Sequence, residues 1–114
     1  MKDPFQAVRL THHHAPVDIR EIIYLPLDTC TSIYQKLRDI LGIQEAIVFS
    51  TCNRTEVYYL HEQDLSEEII KLLCIDKGIE SPDKYIPYFE VVSNEKEAAH
   101  TLFSVSMGLA SSVL

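Results

Sequence analysis

Cys52 is the residue of this sequence best suited to nucleophilic chemistry. It follows the apolar run 46–50 (AIVFS) and precedes Asn53 and Arg54, so we expect it at the end of a strand, partly exposed. If strand geometry continues, Cys52 and Arg54 point to the same side. A nearby guanidinium favours the nucleophilic thiolate, and Thr51 and Asn53 could donate hydrogen bonds to an oxyanion. The alternative is that Cys52 is a small packed hydrophobic residue.

The run of three histidines, His12 to His14, is a second candidate site. In an extended segment His12 and His14 share a face, and His13 faces the other way. A metal site there would need a third ligand, for example Cys52 or His61, and no chelating helical spacing such as HExxH is present. We therefore predict a polar strand end without a metal, and a metal-binding protein is the competing hypothesis.

His100 and the two other cysteines complete the set of reactive side chains. His100 lies early in the last predicted helix, beside its apolar stripe. It is either a solvent-exposed histidine or a proton donor or acceptor at the sheet edge. Cys74 lies beside Ile70 and Leu73 on the apolar side of a helix, which predicts a core position. Cys30 lies near a helix start and has no partner nearby in sequence.

The composition limits the classes of function. The 114 residues are 46% apolar and 24% charged, which is typical of one globular domain. Lys and Arg number 10 against 17 Asp and Glu, a net charge of −7, so any contact with nucleic acid must be local. Three cysteines without a CxxC pair favour a reducing cytoplasm over a disulfide framework. No run is long enough to span a membrane, and no GxGxxG dinucleotide fingerprint is present.

The elements that must position these residues follow from hydrophobic periodicity. We predict strands at 5–12, 46–50, 57–60 and 85–92, and helices at 17–25, 32–42, 64–78 and from 94 onward. This order predicts an α+β fold of the ferredoxin-like type, a βαβ–βαβ split sheet with helices packed on one face, plus the start of a C-terminal helix. Right-handed crossovers place both crossover helices on the same side of the sheet.

Capping residues predict where the helices begin and end. Three N-terminal pairs are spaced as in a capping box: Ser32 with Gln35, Asp64 with Glu67, and Asn94 with Glu97. Gly42 and Gly78 are suited to left-handed helix ends. Pro87 within 85–92 indicates an edge strand or a bulge. On the last helix, one face is predicted to carry Ala99, Leu102, Phe103 and Ser106.

Three blocks of the sequence, in this order, resemble the N-terminal catalytic domain of glutamyl-tRNA reductase. They are HHHAPVDIRE (12–21), STCNRTEVYYL (50–60) and LFSVSMGLASSVL (102–114). The resemblance implies NADPH-dependent reduction of glutamyl-tRNA to glutamate-1-semialdehyde through a cysteine thioester, the first step of tetrapyrrole biosynthesis. It also implies contact with the acceptor end of glutamyl-tRNA, a cytoplasmic homodimer, and channelling to the next enzyme, a semialdehyde aminomutase.

The resemblance also assigns roles to residues of this chain. The matching nucleophile is Cys52, and Thr51, Asn53 and Arg54 fall on the substrate-binding stretch, where the planar fork of Arg54 suits a carboxylate. Ser111 matches a serine of the substrate site. The family's catalytic histidine directly precedes Leu-Phe, whereas here Thr101 holds that place and His100 lies one residue earlier. Two further departures are His14, where the family has threonine, and Ala110, where it has an acid.

The resemblance also sets expectations for domain organisation. Residues 1–114 correspond to a single catalytic domain. Because 102–114 is apolar up to Leu114, and an apolar end is normally buried against something, we expect a fragment whose last helix continues. The spinal helix, the NADPH-binding domain and the dimerisation domain of the family would then follow Leu114. This chain would form the thioester without completing the reduction. The alternative is a non-catalytic binding module with a packed Cys52.

Overall fold

The helices and strands follow one another in the predicted order. The structure is a computed structural model that describes residues 4–113, with side chains described for residues 4–106. Its elements are β1 (Phe5–Thr11), α1 (Val17–Ile23), α2 (Leu27–Leu41), β2 (Glu45–Thr51), β3 (Arg54–Leu60), α3 (Ser66–Asp76), two 3-10 turns (Pro82–Lys84 and Ile86–Tyr88), β4 (Glu90–Val92) and α4 (Glu95–Val113).

The strands form one antiparallel sheet in the order β2-β3-β1-β4. β3 lies inside the sheet and pairs along its whole length with β2 on one side and β1 on the other. Residues 55–59 of β3 are all buried, because both faces of the sheet are covered there. The predicted α+β class with a mainly antiparallel sheet is confirmed.

Helices lie on both faces of the sheet: the crossover helices pack on one face, as predicted, and the C-terminal helix packs on the other. The crossover helices α2 and α3 share one face with α1, as predicted, where Leu10 and Tyr59 contact a core that includes Leu37 and Leu73. α4 packs on the opposite face, where buried Ala98 meets Ala7, Tyr58 and Val92. The physical reason is that the part of this second face that meets α4 is apolar and aromatic and must be removed from water.

The packed side of α4 differs from the predicted stripe. Ala98 is buried and Leu102 is partly buried, whereas Ala99 is exposed and Phe103 is 66% exposed. The four residues of the predicted stripe instead line a groove together with Phe5, Leu60 and Glu95. The sequence periodicity correctly predicted that α4 has an apolar face. The side that contacts the sheet is about one residue away from it, at Ala98 and not at Ala99.

Two helix starts differ from the predicted caps. α2 begins at Leu27, directly after Pro26, so Ser32 lies within the helix. Proline before a helix loses no required hydrogen bond, because the first N–H groups of a helix have no intrahelical partner. α3 begins at Ser66, whose backbone N–H and hydroxyl both donate to Asp64 Oδ1 at 2.9 and 2.5 Å.

Other predicted boundaries are confirmed. Gly42 ends α2 in the left-handed conformation, with φ of 69°, and its N–H donates to the Arg38 carbonyl. Asn94 caps α4, since its Oδ1 accepts from the backbone N–H of Glu97 at 3.0 Å. Both residues satisfy backbone groups that a helix end leaves without partners.

The predicted strand at 85–92 is mostly wrong. Only Glu90–Val92 is a strand, at the edge of the sheet, and Pro87 lies in the 3-10 turn Ile86–Tyr88. Proline has no N–H to donate to a ladder and its fixed φ suits a helical turn, so the apolar residues before Glu90 pack without pairing. Among the helices in the described residues, none has the length and apolarity that crossing a bilayer requires.

Two isoleucines on α3 provide a matched test of this packing. Ile70 is 1% exposed and Ile75 is 65% exposed. We expect Ile70→Ala to lower the free energy of unfolding by about 2–5 kcal/mol, because it leaves a cavity between α3 and the sheet. Ile75→Ala should change it by less than about 0.5 kcal/mol. Urea denaturation followed by circular dichroism measures both, and equal losses would contradict the described orientation of α3.

Candidate active site

Cys52 lies in the two-residue turn that joins β2 to β3, and its side chain is exposed. The flanking residues Thr51 and Arg54 pair across the hairpin. The backbone N–H of Asn53 donates to Thr51 Oγ1 at 3.2 Å, which closes the turn. The strand therefore ends before Cys52, and strand geometry does not continue to Arg54 as expected. Cys52 is a solvent-accessible thiol and not a packed core residue.

A second strand end and a helix lie beside this turn. Thr11, the last residue of β1, pairs with Arg54, so the histidine run that follows Thr11 lies next to the hairpin. From α1, Arg20 Nη1 donates to Asn53 Oδ1 at 3.2 Å. Arg20 Nε is buried and has no hydrogen-bond partner among the described residues. Sequence reasoning missed Arg20, because this contact joins residues 33 positions apart.

The histidine run forms a turn, which corrects the expectation of an extended segment. The N–H groups of His14 and Ala15 both donate to the Thr11 carbonyl, at 3.1 and 3.0 Å. As a result the rings of His12 and His13 lie side by side, with centroids 4.0 Å apart. In the part of the chain with described side chains, no three histidine, cysteine or acidic residues are arranged to hold a metal ion.

The charges around the turn favour neutral imidazole at His12. Its pKa is lowered first by His13, then by desolvation, and then by the guanidinium groups of Arg20 and Arg54. The guanidinium groups of Arg20 on α1 and Arg54 on β3 thus both lie near enough to His12 to disfavour its protonated form. His14 differs from its neighbours, since its Nε2 lies 3.9 Å from Glu90 Oε2.

Arg54 belongs to a buried network of charged groups centred on Glu56. The Glu56 carboxylate accepts hydrogen bonds from Arg54 Nη1 at 3.1 Å, Arg9 Nε at 2.8 Å and the Tyr58 hydroxyl at 2.6 Å. Arg9 Nη1 also donates to Glu90 Oε1 at 2.6 Å. The Glu56 side chain has no solvent exposure. A buried carboxylate is tolerated only when such partners replace its hydration.

Strand register brings this network together. Arg54, Glu56 and Tyr58 alternate along β3 and therefore share one face of the sheet. Arg9 on β1 lies opposite Glu56, and Glu90 on β4 lies opposite Arg9. Burial and the adjacent Glu56 carboxylate raise the pKa of Tyr58, so its hydroxyl remains a donor. The network therefore joins β1, β3 and β4 next to the turn that carries Cys52.

His100, Cys30 and Cys74 take no part in these contacts. His100 is exposed on α4. Ser111 falls outside the residues whose side chains the structure describes. Cys74 is fully buried, as predicted, and Cys30 is also buried. Burial raises the pKa of the Cys74 thiol to about 11, and burial together with Asp28 raises that of Cys30.

The arrangement at the turn suits attack on an activated acyl group. Cys52 supplies an accessible thiol, and Thr51 and Asn53 flank it with a hydroxyl and an amide. Arg54 is 24% exposed while one of its N–H groups is held by Glu56. A guanidinium has five N–H donors, so Arg54 can still bind a carboxylate of a substrate. The thiol and the anion-binding group therefore lie at one end of the same hairpin.

Comparison with known proteins gives consistent matches. Residues 8–114 match the family model described as glutamyl-tRNAGlu reductase, N-terminal domain. The chain is 38% identical over 110 residues to the glutamyl-tRNA reductase of Cytophaga hutchinsonii, covering 96% of this chain and 26% of that protein. It is 40% identical over 111 residues to that of Psychromonas ingrahamii, covering 97% of this chain and 26% of that protein.

A solved structure shares the fold. The glutamyl-tRNA reductase from Methanopyrus kandleri superposes with a TM-score of 0.67 at 24% identity, over 95% of this chain and 23% of that one. The present chain thus spans about a quarter of the length of the relatives it matches.

The three cysteines should differ strongly in reactivity. We expect iodoacetamide to alkylate Cys52 at least about tenfold faster than Cys74 at pH 8, because only the exposed thiolate is accessible to the reagent. A thiol with a pKa of about 11 is only about 0.1% ionised at that pH, so the Cys74 rate should rise with pH. Peptide mass spectrometry measures the rates, with Cys30 as a second buried control. Equal rates in the folded protein would contradict the exposure of Cys52.

Proposed function

The chain belongs to the glutamyl-tRNA reductase N-terminal domain family, and on that premise we propose that it is the thioester-forming part of a glutamyl-tRNA reductase acting in tetrapyrrole biosynthesis. The observation that carries the proposal is the exposed thiol of Cys52 at the tip of the hairpin formed by STCNRTE. An exposed cysteine at the same hairpin end as an arginine is suited to covalent catalysis on an acidic substrate.

The proposed reaction begins with attack by the Cys52 thiolate on the carbonyl carbon of the aminoacyl ester. A sulfur–carbon bond forms and the carbon–oxygen bond to the terminal ribose breaks, so that the ribose hydroxyl leaves with a proton. The glutamyl group remains on Cys52 as a thioester. Thr51 and Asn53 lie beside the sulfur in sequence, and we propose that they donate hydrogen bonds to the oxyanion. Splitting the transfer into two steps lowers each barrier.

Arg54 is proposed to bind a carboxylate of the glutamyl group. Its guanidinium offers further N–H donors beyond the one bonded to Glu56. Arg20, His12 and His13 surround the same turn, and we propose that they contact the acceptor end of the tRNA. A local contact of this kind, in which Arg20 supplies the positive charge, is compatible with a chain of net charge −7. The proposal also keeps Ser111 in substrate binding and His100 in catalysis.

NADPH supplies the hydride that reduces such a thioester to the aldehyde. The described residues do not fit a phosphate-binding loop for it: Gly42 and Gly78 both lie where helices end, whereas that loop lies where a strand turns into a helix. We therefore propose that NADPH binds outside residues 4–113. A ferredoxin-like sheet, a cytoplasmic homodimer and transfer of the product to a semialdehyde aminomutase are further parts of the proposal.

A matched pair of cysteine variants tests this function. We expect the 114-residue chain, incubated with glutamyl-tRNA, to release tRNA and to gain the mass of one glutamyl group on Cys52. Cys52→Ser should abolish this labelling, because the serine hydroxyl is a far weaker nucleophile at neutral pH. Cys74→Ser should retain it, with a loss of stability of about 1–3 kcal/mol from placing a hydroxyl in the core.

Intact-protein mass spectrometry and acid-gel assays of the tRNA measure the two products. Persistent labelling of Cys52→Ser would place the nucleophile elsewhere. An unlabelled wild-type chain, with Cys52 reactive towards iodoacetamide, would instead favour a non-catalytic binding role in which the exposed Cys52 does not take part.

A further inference from the structure

We propose that Glu56 is a positioning residue whose buried carboxylate fixes the guanidinium of Arg54 for recognition of the substrate carboxylate. This inference rests on the proposed function, because it specifies how the anion-binding group beside Cys52 is held. Three observations support it: the division of contacts between the two carboxylate oxygens, the rigidity of the surroundings, and the different exposure of the two arginines.

The two oxygens of Glu56 have different partners. Oε1 accepts from Arg9 Nε and from the Tyr58 hydroxyl, at 2.8 and 2.6 Å. Oε2 accepts from Arg54 Nη1 at 3.1 Å. One oxygen therefore anchors the carboxylate inside the sheet, and the other is directed towards the hairpin that carries Cys52. Charge-assisted hydrogen bonds of this kind are stronger and more directional than neutral ones.

Aromatic packing restricts Tyr58, whose hydroxyl bonds Glu56 Oε1. The Tyr58 ring stacks between Phe5 and Phe49, with ring centroids 5.9 and 6.0 Å away and interplanar angles of 18° and 12°. Phe49 also lies opposite Glu56 in the register of β2 and β3. Tyr58 and Glu56 have no solvent exposure, so their hydrogen bond to each other and their packed neighbours restrict both side chains. The position of Oε2, and with it that of Arg54, is thereby restricted.

The two arginines that share Glu56 are not equivalent. Arg9 bonds both Glu56 and Glu90 and its side chain is 14% exposed. Arg54 bonds Glu56 through one nitrogen and is 24% exposed at the start of β3. Among the residues with described side chains, Arg9 is thus paired twice within the sheet, whereas Arg54 bonds only Glu56 and keeps further donors for an incoming anion. From this difference we infer that Arg9 stabilises the sheet and that Arg54 binds the substrate carboxylate.

If the network only stabilised the sheet, replacing either of its acids, Glu56 or Glu90, would have the same effect on recognition of the substrate. Glu90 provides the matched comparison, because it bonds the same Arg9 but does not contact Arg54 in the described structure. Glu56→Gln and Glu90→Gln each remove one negative charge and preserve side-chain shape. Only Glu56→Gln replaces an acceptor of Arg54 with an amide that can turn an N–H towards it.

The experiment compares thioester formation from glutamyl-tRNA and from glutaminyl-tRNA, whose side chain is neutral. We expect Glu56→Gln to lower the preference for glutamyl-tRNA by about tenfold or more, through a higher KM for that substrate. Glu90→Gln should keep the preference within about twofold of wild type. Equal preferences for the two variants would overturn the inference while leaving the proposed function intact.

A substrate-free measurement separates this inference from the proposed function. Phenylglyoxal modifies free guanidinium groups, and peptide mass spectrometry follows Arg54 alone. We expect Arg54 to react several-fold faster in Glu56→Gln than in wild type or Glu90→Gln, because it has lost its charged partner. Unchanged reactivity would show that Glu56 does not hold Arg54. An inactive wild-type chain in which Arg54 is nonetheless released by Glu56→Gln would overturn only the proposed function.

Two double variants distinguish a loss of substrate recognition from a loss of folding. Glu56→Gln removes one of the two carboxylates that neutralise the Arg9 charge inside the sheet. Combining it with Arg9→Gln removes buried charges of both signs, which folded proteins tolerate better. Its control is Arg9→Gln with Glu90→Gln, which retains the Glu56–Arg54 bond. We expect only the first double variant to lose the preference for glutamyl-tRNA. Loss of that preference in both would assign the network a structural role alone.

Discussion

A carboxylate without access to water is the constraint on which this end of the sheet depends. Glu56 lies on the central region of β3 with no solvent exposure, and it accepts hydrogen bonds from two arginines and a tyrosine. A buried charge left without any partner costs a folded protein about 3–5 kcal/mol. The register of β1, β3 and β4 therefore has an electrostatic determinant in addition to the hydrophobic one.

The same sheet separates a buried framework from the exposed turn that carries Cys52. β3 is buried over residues 55–59, yet the two-residue connection to β2 lies beyond the cover of the helices and leaves Cys52 exposed. Short hairpin loops restrict the backbone on both sides of a side chain. The thiol is thus accessible while its position relative to Arg54 is limited by the paired residues Thr51 and Arg54.

Much of the fold could be predicted from local pattern. Element order, the αL end at Gly42 and the Asn94 cap depend on contacts between residues a few positions apart, which sequence displays directly. The core position of Cys74 followed from helical periodicity. The start of α2 and the strand at 85–92 were predicted wrongly, because in both cases a proline next to apolar residues is compatible with more than one local structure.

The environment of the candidate site required contacts that no local pattern contains. Arg9 meets Glu56 across 47 positions and Glu90 across 81, and Arg20 meets Asn53 across 33. Alternation along β3 places Arg54, Glu56 and Tyr58 on one face, a signal present in STCNRTE, but it does not reveal what covers that face.

The amino-acid sequence by itself determined the α+β class, the family resemblance and the choice of Cys52 as the candidate nucleophile. These follow from side-chain chemistry and short-range periodicity, which are properties of neighbouring residues. Only the tertiary structure decided that α4 covers the second face, that the histidine run is a turn, and that Glu56 pairs with Arg54 and Arg9. Those outcomes depend on which strands become neighbours and in what register. The free energy of pairing two strands is set by contacts between residues far apart in the chain, which local sequence does not reveal.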